Sequence, residues 1–334
     1  MHPERLGYFL YYLAKTDRIK FKKFLQIAKI RSGKPVIIIL LDIFYSSLKY
    51  KISILDYFYF RFYELNREER GKWAGTGFMY EYQLKMNPKE SRDILEDKIS
   101  FLKHYSGFVR RDYSELRCIE GNHNRANQLL QNKSGKLVLK GSRGQIGAEV
   151  EVINCQDYNV DSLLRLMGDK GYDLVEEYVV QHPSLMNLSP SGLNTVRIFT
   201  QLSGNEVIFL GTRLRISVNS QVDNMAAGNL AAPVDMETGI VCGPGVYSDI
   251  ELEDRTVHPV TGVPIDGFIL PFWKETVDMI RHAAILYRGN QSVGWDIAIT
   301  DQGPELIEGN HNWCKLLWQL PVKKGLKEEL VKYL

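Results

Sequence analysis

The chain has 334 residues, 44% hydrophobic and 25% charged, a balance that excludes a disordered polypeptide and allows a sizeable core. Its net charge of +2 hides an asymmetry: residues 1–140 hold 27 Lys and Arg against 15 Asp and Glu, and residues 141–334 hold 15 against 25. The basic half suits an anionic partner and the acidic half suits cations, and no nucleic-acid partner is expected. Four scattered cysteines without a C-x-x-C pair argue against a disulfide framework and for a reducing, cytoplasmic setting.

Residues 1–34 read as a basic amphipathic helix, and no secretory leader is expected, because "KTDRIKFKKF" arrives before any long apolar core. The run "KPVIIILLDIFYSSLKYKISILDYFYF" is interrupted by Asp42, Lys49, Lys51 and Asp56, too often for a transmembrane helix. Two readings stay open: packed helices with solvated lysines, or a peripheral contact with anionic lipid at the inner face of the membrane. In "NPKESRDILEDKISFLKHY" the spacing of Ile94, Ile99 and Leu102 predicts a helix, with Asn87 as a cap and Pro88 at the first helical position. From Leu137 the character changes. "KLVLK" and "AEVEVI" predict strands around the glycine-rich turn "GSRGQIG", and a helix follows at "VDSLLRLMGDKG". Strand alternation continues through "YDLVEEYVV", "NTVRIFTQL", "VIFLGTRLRIS", "GWDIAIT" and "PELIEGN". Residues 221–239 are small and polar and read as a mobile loop.

The hexapeptide "IEGNHN" occurs twice, at Ile119–Asn124 and Ile307–Asn312. The second copy ends a predicted hairpin whose turn is "DQGP", with Gly303 and Pro304 suited to the bend. Across such a hairpin Asp296 can face Glu308 and Asn310, so three hard oxygen donors converge as a Mg²⁺–phosphate site requires. The first copy has no such partner and runs into a helix, where Asn122 or Asn124 is a cap. Lys140, at a strand end before the glycines, can meet phosphates together with the backbone N–H groups of the turn, although no Walker A pattern follows. Arg197, Arg213 and Arg215 lie on strands. A buried arginine needs an anion, either a substrate carboxylate or phosphoryl group or a structural salt bridge.

Taken together, "EDKISF", "LVLKGSRGQIG", "LVEEYVVQHPSL", "LNTVRIFT", "GTRLRIS", "VDNMAAGN" and "GWDIAITDQGPELIEGN" resemble the ATP-grasp superfamily, most closely its sugar-transfer-associated branch, over roughly residues 90–320. "DYFYFRFYELNREER" extends the resemblance loosely upstream. It implies an α+β fold, two subdomains gripping ATP behind a helical N-terminal region. The division would be 1–90 (basic, mostly helical), 91–320 (the catalytic body, with lobes 91–182 and 183–320) and 321–334 (a C-terminal helix).

It also implies roles. Lys98 and Lys140 would contact the ATP phosphates under the turn that includes Gly141, Ser142, Arg143 and Gly144. Glu176 or Glu177 would accept from the adenine amine, the Val179 backbone would read the ring edge, and His182 would lie near the ribose unless it is structural. Asp296, Glu308 and Asn310 would hold one or two Mg²⁺ ions. Arg197 with Arg213 or Arg215 would meet carboxylate or phosphoryl oxygens, and Asn224 and Asn229 the acceptor or the transferring phosphate. Many relatives carry Lys-Pro where Lys140-Gly141 stands here, and a smaller residue and a lysine where Arg143 and Gln145 stand, so Arg143 is a candidate replacement for the missing cation. The implied activity is a carboxylate–amine ligase that uses small-molecule, sugar-linked substrates in surface-polysaccharide assembly. A phosphotransferase and a non-catalytic partner of a glycosyltransferase complex are the alternatives.

Overall fold

The computed structural model describes residues 7, 11–143, 150–221 and 223–334. Arg143 is therefore described, while Gly144 and the rest of the glycine-rich turn to residue 149 lie outside the described residues.

The N-terminal region is helical and has a core of its own. Helices Arg18–Ser32, Val36–Tyr50 and Ile54–Tyr59 bury Phe24, Ile39, Ile43, Tyr57, Phe58, Phe60 and Phe62 together. The first starts where Asp17 accepts N–H groups from Ile19 and Lys20, at 2.9 and 3.1 Å, and stops at Gly33, which takes the left-handed conformation with φ 67°. The single helix expected from "NPKESRDILEDKISFLKHY" is two, Lys89–Glu96 and Lys98–His104. Asp97 between them is extended and caps the second, accepting from the Ser100 N–H at 2.7 Å. Helical spacing survives such a break, so periodicity does not reveal it. Pro88 stands at the cap position instead of the first helical one. Asn87 does not cap: its buried amide donates to the Ser292 and His311 carbonyls at 2.8 Å each, and so ties this segment to the second sheet.

Two antiparallel sheets follow. The first holds β1 (Tyr113–Glu115), β2 (Lys136–Lys140), β3 (Val150–Asn154) and β4 (Leu174–Glu177) in the order β1-β4-β2-β3. Helices His123–Leu130 and Val160–Lys170 pack against it, burying Leu129, Leu137, Leu139, Leu163, Met167 and Val175. The second holds β5 (Val196–Ser203), β6 (Glu206–Ile216), β7 (Leu230–Val234), β8 (Ser292–Thr300) and β9 (Gly303–Asn310) in the order β7-β6-β5-β8-β9. Helix Trp273–Leu286 lies against it over Val196, Ile198, Ile280, Ala283 and Ile297. Five residues of the expected loop at 221–239, Leu230–Val234, are strand β7, fully buried along its length. Its Pro233 is tolerated because β7 is an edge strand.

The β8–β9 hairpin is tighter than expected. Thr300 pairs with Gly303, so the turn is Asp301-Gln302, and Gly303 (φ 114°) and Pro304 already belong to β9. A bulge then shifts the register: Ile297 faces Leu306, but Asp296 faces Glu308 and Gly294 faces Asn310. Ile307 is the extra residue.

Candidate active site

The cleft between the sheets is built from one lateral row of side chains. Across β6, β5, β8 and β9 the partners run Arg213, Arg197, Asp296, Glu308, all on one face. Asp296 is buried, and both its oxygens are held: Arg197 grips it through Nε and through Nη2 (2.6 Å), and Arg215 adds Nη1 at 2.9 Å. Burial alone would raise the Asp296 carboxyl, but Arg197 and Arg215 overcome it and hold it well below the usual range. Arg215 also meets Asp223 at 2.6 Å, and Asp223 takes the Thr195 N–H at 3.0 Å. Gly294 makes room for this packing: a Cβ there would stand 2.7 Å from the Trp313 Cβ and 3.3 Å from Arg197.

Glu308 is different. Burial and the neighbouring Asp296 carboxylate, which it faces across the strands, push its pKa up. The Asn310 amide donates to Glu308 at 3.0 Å. No three His, Cys, Asp or Glu side chains cluster for a metal among the described residues. The expected set therefore stands as two carboxylates and one amide, all hard oxygen donors, with a proton-hungry Glu308 where a cation would remove the repulsion. That chemistry fits Mg²⁺.

The other wall carries the lysines. Lys98 starts its helix beside the glycine-rich turn and donates from Nζ to the Gly141 carbonyl at 3.1 Å, while its backbone N–H reaches Ser142 at 3.0 Å. Burial and then the Lys140 charge lower its pKa, and Glu308 and Glu176 counteract them. Lys98 thus feels both sheets at once. Lys140 meets Glu176 at 2.6 Å. Glu176 is buried, which by itself would raise its pKa, yet Arg111 and Lys140 hold it at about 2. Ser142 is anchored by Asp173, its N–H at 2.5 Å and its hydroxyl at 2.6 Å. Arg143 is exposed and pairs with Asp93 and Asp97 at 2.9 and 3.2 Å, at the mouth of the turn.

Several other expected residues make contacts within the fold. Arg213 shares a face with Arg215 but donates to the Trp318 carbonyl, 3.1 Å from Nε, and to the Thr212 carbonyl at 2.6 Å. It caps helix Lys315–Gln319 and makes no contact with Asp296, because Arg197 stands between them; burial lowers it to about 10. His182 caps helix Pro183–Leu188 by accepting the Ser184 N–H at 3.2 Å. Asn229 is fully buried, accepting from the Val218 N–H at 2.7 Å and donating to the Asn224 carbonyl at 3.0 Å, and Asn224 in turn caps Met225–Ala227. Both hold their loop together. Glu177 accepts the Asp112 N–H at 2.9 Å, whereas Glu176 faces the lysines; Val179 follows β4, half-buried. In the first hexapeptide copy Glu120 ends helix Leu116–Glu120, and Asn122 caps the next helix through the Arg125 N–H.

Arg111 was not anticipated. Buried between the lobes, it meets Glu176 of the first sheet at 3.3 Å and Glu305 of the second at 3.0 Å, and donates to the Leu306 carbonyl at 2.7 Å. The charge-rich "RRD" before β1 and the first of the two acids in "GPELIE", Glu305, were the only signals, and nothing local couples them.

Two α+β lobes closing on a cleft of lysines, arginines and paired carboxylates define an ATP-grasp protein. A family model described as sugar-transfer associated ATP-grasp matches residues 78–333. The chain belongs to that family. Among solved structures, the biotin carboxylase–beta-gamma-ATP complex from Campylobacter jejuni is similar at 13% identity and TM-score 0.50, over 77% of this chain and 52% of that one. D-alanyl-alanine synthetase A from Vibrio cholerae O1 biovar eltor str. N16961 is similar at 12% identity and TM-score 0.46, over 74% of this chain and 66% of the other. A putative ATP-grasp superfamily protein from Archaeoglobus fulgidus shares 14% identity at TM-score 0.40, over 74% and 56%. The chain thus spans between half and two thirds of these proteins, and likeness at such identity concerns the fold. No curated protein matches the chain.

Proposed function

We propose that the protein is an ATP- and Mg²⁺-dependent carboxylate–amine ligase. The observation that carries this reading is the pair Asp296 and Glu308, facing each other across β8 and β9 with Arg197 and Arg215 on Asp296, and with Lys98 and Lys140 near enough for Lys98 to feel the Glu308 charge. A substrate carboxylate oxygen attacks the ATP γ-phosphorus, giving an acylphosphate and ADP; an amine then attacks the acyl carbon and releases phosphate. No side-chain nucleophile is needed. The contribution of the chain is positioning and charge neutralisation. Lys98 and Lys140 neutralise the phosphates. Arg215, which already spans Asp223 and Asp296, orients the acid that would hold the metal and would offer a cation to the incoming carboxylate. Asp296, Glu308 and Asn310 would hold Mg²⁺, which supplies neutralisation of the phosphate oxygens when bound. The sugar-transfer association of the family supports a sugar-linked acid or amine in polysaccharide assembly as the substrate class.

The test is a screen of amino acids and sugar acids for ADP release, with hydroxylamine in place of the amine. A hydroxamate of one carboxylate is the expected product. ADP release accompanied by a phosphorylated alcohol and no hydroxamate would replace the ligase reading with a phosphotransferase.

A further inference from the structure

We infer that the outward face of helix Val36–Tyr50 docks on an anionic membrane surface. The helix buries one side, through Ile39, Ile43, Ser46, Ser47 and Tyr50. Its other side is apolar too. Ile37 and Leu41 are 60% and 59% exposed, and Ile38, Leu40, Phe44 and Tyr45 are exposed with them. At about 100° per residue these six side chains form one continuous stripe roughly 160° wide, where a helix of a water-soluble domain normally carries charge. Scattered exposed hydrophobic residues are ordinary, but a continuous stripe marks a contact surface.

The charges around the stripe select the occupant. Between residues 11 and 51 there are ten Lys and Arg and two acids. Of the acids, Asp42 sits beside the stripe but is neutralised by Arg70, at 2.7 and 2.8 Å. Lys49 lies at the edge of the stripe with its Nζ 2.9 Å from the Tyr45 hydroxyl, and Lys22, Lys29 and Arg31 on the preceding helix are exposed. Cations held near an anionic lipid surface are drawn to it within a Debye length. A second copy of the chain on the same face would bring two such basic sets together. At 15 residues the helix is roughly 22 Å long, short of the ~30 Å hydrocarbon core, so it would lie in the interface. Among the described residues no helix is long and apolar enough to cross a membrane. This inference is independent of the chemistry in the cleft.

The full chain is sedimented with vesicles of phosphatidylcholine alone and with vesicles one third phosphatidylglycerol. The wild type should bind the anionic vesicles and bind the neutral ones much less. Ile37→Asp with Leu41→Asp, the two most exposed residues of the stripe, should weaken binding at least about tenfold with the melting temperature unchanged. Lys29→Glu with Lys49→Glu should remove the preference for anionic vesicles. A wild type that stays in the supernatant, or an Ile37→Asp/Leu41→Asp variant that binds as well as wild type, overturns the inference. So does a dimer that this variant dissociates without any vesicle binding, which would give the face to a second copy. A variant lacking residues 1–10 that binds where the full chain does not would give it to that segment, and also overturns the inference.

Discussion

Removing one charge from each of the two facing acids should have opposite effects on the metal-free protein. Glu308 has a raised pKa in the fold, from burial and the adjacent Asp296. The folded state therefore holds the Glu308 proton more tightly than the unfolded chain does, and stability falls as pH rises from the unfolded toward the folded pKa. Each unit of that difference is worth about 1.4 kcal/mol. Gln is the neutral isostere and can still donate to Asp296, so Glu308→Gln should stabilise the metal-free protein by about 1 kcal/mol near pH 8, a rise of roughly 2 °C in Tm. The gain should vanish as pH drops well below the unfolded-chain value of about 4.3, where Glu308 is protonated in both states. Asp296→Asn, in contrast, leaves Arg197 and Arg215 without their shared anion in a buried site, which costs about 3–5 kcal/mol. Thermal melts of both variants from acid to mildly alkaline pH, with and without Mg²⁺ and ATP, read the two signs. Wild type should gain stability from Mg²⁺-ATP and both variants should lose that gain. If Glu308→Gln melts lower than wild type without metal, or keeps the full Mg²⁺-ATP shift, Glu308 is not a carboxylate waiting for a cation.

The remaining predictions concern residues whose partners the packing decides. Arg215→Lys should lower turnover with little change in ATP affinity measured by calorimetry, whereas Arg213→Lys should leave turnover intact and cost about 1–2 kcal/mol in a denaturant melt through its lost carbonyl contacts. Arg111→Met should destabilise by about 3–5 kcal/mol because Glu176 and Glu305 stay buried without their shared cation, and Arg111→Met/Glu176→Gln/Glu305→Gln should recover much of that loss. Glu120→Gln should move stability by less than about 0.5 kcal/mol and leave ATP hydrolysis unchanged; an effect equal to that of Glu308→Gln would restore the first hexapeptide to the site.

Local chemistry made most of the elements and half of the site legible. Period-two alternation places Glu308 with Asn310 and Arg213 with Arg215, and the strand–glycine–strand pattern puts Lys140 at the end of β2. Short-range caps explain why two identical hexapeptides diverge: Asn122 precedes a helix, whereas Asn310 ends a strand. Breaks that keep the helical period, such as the one at Asp97, and the cap positions of Pro88 and Asn87 escaped that reading, because they are chosen by what the segment packs against. The tertiary structure decided which of these side chains meet. In an unbulged hairpin closed at Thr300–Gly303, Asp296 would face Ile307, and Glu308 would point to the opposite side of the sheet; the extra residue in β9 shifts the register by one and turns both acids to one face. The end of helix Lys315–Gln319 lies over Arg213 and takes it, while Arg197 and Arg215 keep Asp296. Arg111 finds Glu176 and Glu305 only because the two sheets close on each other. Alternation and capping act over two to four residues and are written in the chain, whereas register and ion pairing between distant segments depend on how the lobes pack.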